Sequence, residues 1–132
     1  MAIAAHSSLP EDTELLIERI IGCAIDVHRV LGAGFLERIY SEALCFELEA
    51  QNIPFERELS VTVTYRGREI QGQRVDLIVG GAVVVEIKSV ARLDPIFQAK
   101  LISYLRTTGC RAGLLINFNS GLLKDGLKRI VL

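Results

Sequence analysis

Leu16, Ile20, Cys23, Val27 and Leu31 recur at spacings of three and four, which puts them on one face of a helix expected over Glu11–Leu31. Glu11, Asp12 and Glu14 suit the positive end of its dipole. Gly32-Ala33-Gly34 stops it, because glycine accepts the left-handed backbone at a helix C-terminus. A second helix is expected from about Phe35 to Gln51, with Leu36, Ile39, Ala43 and Phe46 as its apolar stripe and Asn52 and Pro54 at its end. The period then changes to two. Leu59, Val61, Val63 and Tyr65 alternate with Ser60, Thr62 and Thr64, the mark of a half-buried strand. Arg66-Gly67-Arg68 turns the chain into a second strand, Glu69–Val79, and Gly80-Gly81 turns it into a third, Ala82–Val90. Asp94-Pro95 opens a helix to about Thr108, closed by Gly109. Ala112–Phe118 reads as a buried strand, followed by a turn or short helix and an edge strand over Lys128–Val131. The order α-α-β-β-β-α-β implies an α/β fold with a mixed β-sheet flanked by helices.

Composition narrows the class. A chain of 132 residues, half of them hydrophobic, supports one packed domain, expected over residues 11–132 behind a flexible tail of residues 1–10. No run approaches the ~20 apolar residues that cross a bilayer. The first ten residues lack the charged and apolar segments of a signal peptide, so no membrane association and a cytoplasmic location are expected. Cys23, Cys45 and Cys110 are odd in number and form no CxxC, which argues against a disulfide framework or a zinc site. The net charge of −1 hides an asymmetry: residues 1–58 carry −7 and residues 59–132 carry +6. The basic half suits contact with phosphate, or the halves neutralise each other across the fold.

The chemistry gathers on the second and third strands. Val83–Ile87 is the most apolar stretch, and Glu86 and Lys88 share one of its faces. Charge at the end of a buried strand is costly unless it has a partner. Asp76 supplies one if the hairpin register allows. A two-residue turn at Gly80-Gly81 would pair Asp76 with Val85 and put the carboxylates on opposite faces. A three-residue turn, Gly80-Gly81-Ala82, pairs Asp76 with Glu86. Cross-strand Cβ atoms are then roughly 5 Å apart, and two carboxylates that close repel unless a cation lies between them. Oxygen-only ligation favours Mg²⁺ or Mn²⁺.

The Asp76…Glu86-x-Lys88 spacing resembles the motif of the PD-(D/E)xK nuclease superfamily, whose restriction-endonuclease-like core has the same element order after the first helix. Gly34-Phe-Leu-Glu37-Arg-Ile-Tyr40 resembles the signature of the GxxExxY protein family. The segments Arg74–Val79, Val85–Lys88, Gly113–Asn119 and Leu123–Gly126 are similar to its recurrent blocks. That family has been placed near the RecB and lambda-exonuclease branch. The resemblance implies a divalent-metal-dependent nuclease acting on DNA. Asp76, Glu86 and Lys88 would be catalytic, and Glu37, Asp76 and Glu86 would be metal ligands. Tyr40, Lys100, Tyr104 and His28 would be accessory. Read from the sequence alone, Glu37 is equally a solvated first-turn glutamate and His28 a helix-end residue bonding a carbonyl. Lys100 stands where RecB-like relatives carry glutamine. It shares a helix face with Tyr104, expected to look toward Lys88 and the metal. The competing function is a non-catalytic module of the same fold that binds nucleic acid or a protein partner, with homo-oligomerisation left open.

Overall fold

The computed structural model describes residues 8–132. Most of the expected N-terminal tail (residues 1–7) lies outside the described residues. Its last residues are anchored, not loose: Leu9 is buried in the core, and Arg111 donates to the Ser8 carbonyl at 2.9 Å.

The elements are α1 (Glu11–Leu31), α2 (Glu37–Ala50), β1 (Phe55–Tyr65), β2 (Arg68–Val79), β3 (Val83–Lys88), α3 (Pro95–Thr108), β4 (Ala112–Asn117) and β5 (Leu127–Val131). They form one five-stranded mixed sheet in the order β1-β2-β3-β4-β5. Only β3 and β4 run parallel; the other neighbours are antiparallel. The architecture is the expected mixed sheet flanked by helices. The central parallel pair is apolar on both faces, since α3 provides the crossover and helices cover both sides. All of β4 is buried, and so is all of β3 except Lys88.

Two cores result. On one face α1 and α2 pack Ile20, Cys23, Val27, Leu44 and Leu48 onto Leu77, Val85, Leu114 and Ile116. On the other, α3 packs Leu101 and Leu105 onto Ile78, Val84 and Leu115. Each such side chain stabilises by about 1.5–3 kcal/mol. Leu101 comes so close to β4 that a Cβ on Gly113 would lie 2.9 Å from its Cδ1.

The α1 stripe is as expected, with Ile20, Cys23 and Val27 buried. The α2 stripe is not. Leu36 and Phe46 are 74% and 64% exposed, and the inward face is Tyr40, Leu44, Cys45 and Leu48. Two apolar sets lie side by side on this helix. The one carrying Tyr40 turns inward, where the ring stacks on Phe118 and the hydroxyl finds partners in the loop between α1 and α2. All three cysteines are free. Among the described residues no helix is long and apolar enough to cross a membrane.

Candidate active site at the end of the β2–β3 ladder

Gly80 and Gly81 adopt φ of 61° and 67°, conformations that side chains disfavour. They permit a three-residue turn, and the register is Val79↔Val83, Ile78↔Val84 and Leu77↔Val85. This register carries Asp76 to Glu86, not to Val85. The ladder itself stops at Leu77↔Val85, and side chains take over. The Asp76 amide donates to Glu86 Oε1 at 3.1 Å, and the Ile87 amide donates to Asp76 Oδ2 at 3.0 Å.

A second irregularity meets the first at Asp76. The β1–β2 register pairs Arg57↔Leu77 and Leu59↔Val75 but skips Glu58 and Asp76, and Glu58 has a left-handed φ of 52°. Residues two apart on a strand normally share a face. Here Leu77 packs against α1 and α2, whereas Val75 packs against α3. The same change separates Phe55 from Leu59. Both strands therefore change face at the level of Asp76. Asp76 can then touch Glu86 and also line a cleft of about 340 Å³ with Glu37, Arg38 and Ser41 of α2, Arg57, Glu58 and Ile87. Nothing in the alternation of β1 marked Glu58 in advance; its place opposite Asp76 follows from the backbone break.

Glu86 is 5% exposed. Burial, and next the Asp76 charge, push its carboxyl up to about 8. The Tyr104 phenol on α3 is raised too, by burial and then by the charges of Glu86 and Asp76. Lys88 is half-buried, with Nζ 4.9 Å from the Phe97 ring centroid. Among the described residues no ion pair joins Lys88 to either carboxylate. Its backbone is fixed from behind. The Phe118 amide donates to the Lys88 carbonyl at 2.9 Å. Asn117, 3% exposed and opposite Lys88 in the β3–β4 register, accepts from the Val90 amide and donates to the Val90 carbonyl, both at 3.0 Å. Asn117 stood out in the sequence only as a polar residue inside the apolar Ala112–Phe118 run.

The remaining expected residues fall in distinct places. Tyr40 is fully buried and stacks on Phe118 with centroids 4.6 Å apart. Its hydroxyl donates to the Gly32 carbonyl at 2.5 Å and accepts from the Phe35 amide at 3.1 Å. Ser89 Oγ donates to the Phe35 carbonyl at 2.6 Å. Tyr40 therefore holds the loop that presents Glu37, and Ser89 ties that loop to the end of β3. His28 Nε2 lies 2.8 Å from the Ser120 carbonyl, which links α1 to the loop after β4 and away from the carboxylates. Lys100 is exposed while Tyr104 is half-buried. The face of α3 turned to the sheet runs through Phe97, Leu101, Tyr104 and Leu105, and Lys100 lies on its flank.

The expected trio of Glu37, Asp76 and Glu86 does not close. Among the described residues, no three His, Cys, Asp or Glu side chains form a group that could hold a metal ion. Glu86 follows Val84 toward the α3 side, and exposed Glu37 stands on the α2 side of the cleft. The Asp76–Glu86 pair itself fits a divalent cation: two carboxylates held to each other's strand by amide bonds, one of them desolvated, and among the described residues no side-chain ion pair with either.

The model of the PD-(D/E)XK nuclease superfamily matches residues 14–130, and the chain belongs to that superfamily. Comparison with curated proteins and with solved structures finds no match.

Proposed function

We propose that the chain is a divalent-metal-dependent nuclease that hydrolyses DNA phosphodiester bonds, of the GxxExxY type near the RecB and lambda-exonuclease branch. The observation that carries this reading is the contact between Asp76 and Glu86, on a strand end that also bears Lys88. Asp76 and Glu86 supply the oxygen ligands. They would hold a Mg²⁺ or Mn²⁺ ion, which when bound would supply polarisation of the phosphate and a lowered pKa for an attacking water. Glu86 must give up its proton to serve, so its raised carboxyl makes occupation pH-dependent. Lys88 places an ammonium beside the phosphate, where it offsets developing negative charge. Glu37 lines the same cleft as Asp76 and is the third acidic residue assigned to the site. The cleft opens at Asp76 with Arg38 on its wall, a cation suited to a phosphate oxygen, whereas Arg57 beside it is held in a two-point pair by Glu42.

One observation favours the second reading, a non-catalytic module that binds nucleic acid or a protein: the acidic trio is open. Incubation of the chain with single- and double-stranded DNA under Mg²⁺ and under Mn²⁺ separates the two. Cleavage that disappears in Asp76→Ala supports the nuclease. DNA binding without cleavage under either ion supports the module and overturns the proposal.

A further inference from the structure

β1 and β2 have 11 and 12 residues, whereas β3 has six and pairs with β2 only from Leu77 to Val79. The outer part of the β1–β2 hairpin therefore stands clear of the sheet as an arm. Its two faces differ. Gln73 Nε2 donates to Ser103 Oγ of α3 at 3.0 Å, and Val61, which pairs with Gln73, packs in the α3 core. The pairing shifts register between Val61 and Val63, and Val63 lines a groove against α3. Beyond the shift Val63↔Ile70 and Tyr65↔Arg68 pair regularly, so Tyr65 and Arg68 share the face of Val63. Glu69 pairs with Thr64 and falls on the reverse face. The α3-side face thus carries an arginine, an exposed aromatic and no carboxylate. Tyr65 and Ile70 are 59% and 53% exposed, and the Arg66 guanidinium sits 5.5 Å over the Tyr65 ring. Between this arm and α3 runs a groove of about 390 Å³, lined by Thr62, Val63, Thr64, Ser103, Arg106 and Thr107. Its inner end is the Gln73–Ser103 contact, three residues along β2 from Asp76.

We propose that this groove binds one strand of single-stranded nucleic acid, with phosphates on Arg68 and Arg106 and a base stacked on Tyr65. Charge complementarity favours this occupant: Arg106 and hydroxyl donors line the groove with no acid among its lining residues, and exposed Arg66 and Arg68 stand at the tip of the arm beyond it. A channel walled by one helix and one hairpin takes a single backbone, and an exposed tyrosine at its mouth offers a stacking surface that is independent of sequence. Only the direction of the track, from the arm toward Asp76, rests on the nuclease reading.

The test is binding of a fluorescent oligothymidine to the full chain in EDTA, where no cleavage occurs, across a salt series. The paired substitution Arg68→Ala with Arg106→Ala is expected to weaken binding tenfold or more. It should also flatten the slope of log K against log salt by about 1.4, two phosphates at ~0.7 each. Tyr65→Ala is expected to weaken binding about tenfold with the salt slope unchanged. All three side chains are exposed, so melting should not change. Arg29→Ala on α1 serves as the control and should bind as the native chain does. Equal binding by all variants overturns the groove, as does an equal loss in Arg29→Ala. Tighter binding of the matching duplex with the same losses overturns the single-strand occupant. A dimer in sedimentation that Tyr65→Ala dissolves makes the face a self-association surface and overturns the proposal. Groove-dependent binding with no cleavage after Mn²⁺ addition leaves the groove standing and removes the nuclease. Cleavage that ignores all three substitutions does the reverse.

Discussion

Asp76 and Glu86 each accept a hydrogen bond from the other's strand, Glu86 from the Asp76 amide at 3.1 Å and Asp76 from the Ile87 amide at 3.0 Å. These side-chain bonds replace the next rung of the β2–β3 ladder. They hold two carboxylates together at a place where the sheet would otherwise join backbone to backbone.

That closeness makes stability fall with pH. The Glu86 carboxyl is raised from 4.5 to about 8 in the folded chain, chiefly by burial and next by Asp76. Its folded form holds a proton that the unfolded form has lost, so its contribution is complete below about 4.5, falls as pH rises from there to about 8, and is level above. Glu86→Gln should remove this slope and raise stability at pH 8 by on the order of a few kcal/mol without metal. Chemical denaturation at pH 5 and pH 8 measures it. A native chain equally stable at both would contradict the raised carboxyl.

Asn117 fixes the backbone that carries Lys88. Its amide makes bonds to both the amide and the carbonyl of Val90 and accepts from the Asn119 amide. Asn117→Ala removes all three bonds, leaving the Val90 and Asn119 amides without this acceptor while the Val90 carbonyl keeps the Asn119 side-chain amide at 3.3 Å. Each lost bond costs about 0.5–1.5 kcal/mol. The melting temperature should fall by roughly 10 °C or more. A shift under a few degrees would show that water replaces the side chain.

Tyr40→Phe keeps the ring against Phe118 but removes the hydroxyl that bridges Gly32 and Phe35. A loss of about 1–3 kcal/mol is expected, with metal binding retained. If Tyr40→Phe instead abolishes metal binding at unchanged stability, the hydroxyl acts at the site and its placement as a clip is wrong.

Much of this arrangement was legible in the sequence because short-range chemistry governs it. Gly80-Gly81-Ala82 sets the hairpin register, and that register brings Asp76 to Glu86. What escaped depends on tertiary choices. Leu36 and Phe46 lost the inward face of α2 to Tyr40 and Leu44, since helical spacing alone cannot rank two adjacent apolar sets. The start of β1 was hidden because its alternation breaks at Glu58, where φ is positive. Lys100 and Tyr104 are one turn apart on α3, and that turn is enough to put Tyr104 against the sheet and Lys100 in solvent.

Lys100→Gln follows from that placement. An exposed residue on the flank should change stability by no more than about 0.5 kcal/mol and leave metal affinity as it was. Tighter Mn²⁺ binding in Lys100→Gln would place the ammonium at the site after all.

The central claim is that Asp76 and Glu86 together hold a divalent cation, and a calorimetric titration of the native chain with Mn²⁺ at pH 7 tests it most directly. Glu86, at about 8, is mostly protonated at that pH. Binding should therefore release close to about one proton per ion, read from the dependence of the heat on buffer ionisation. Asp76→Asn should show neither binding nor proton release. Absence of binding at millimolar Mn²⁺, or binding that survives Asp76→Asn unchanged, would contradict the account.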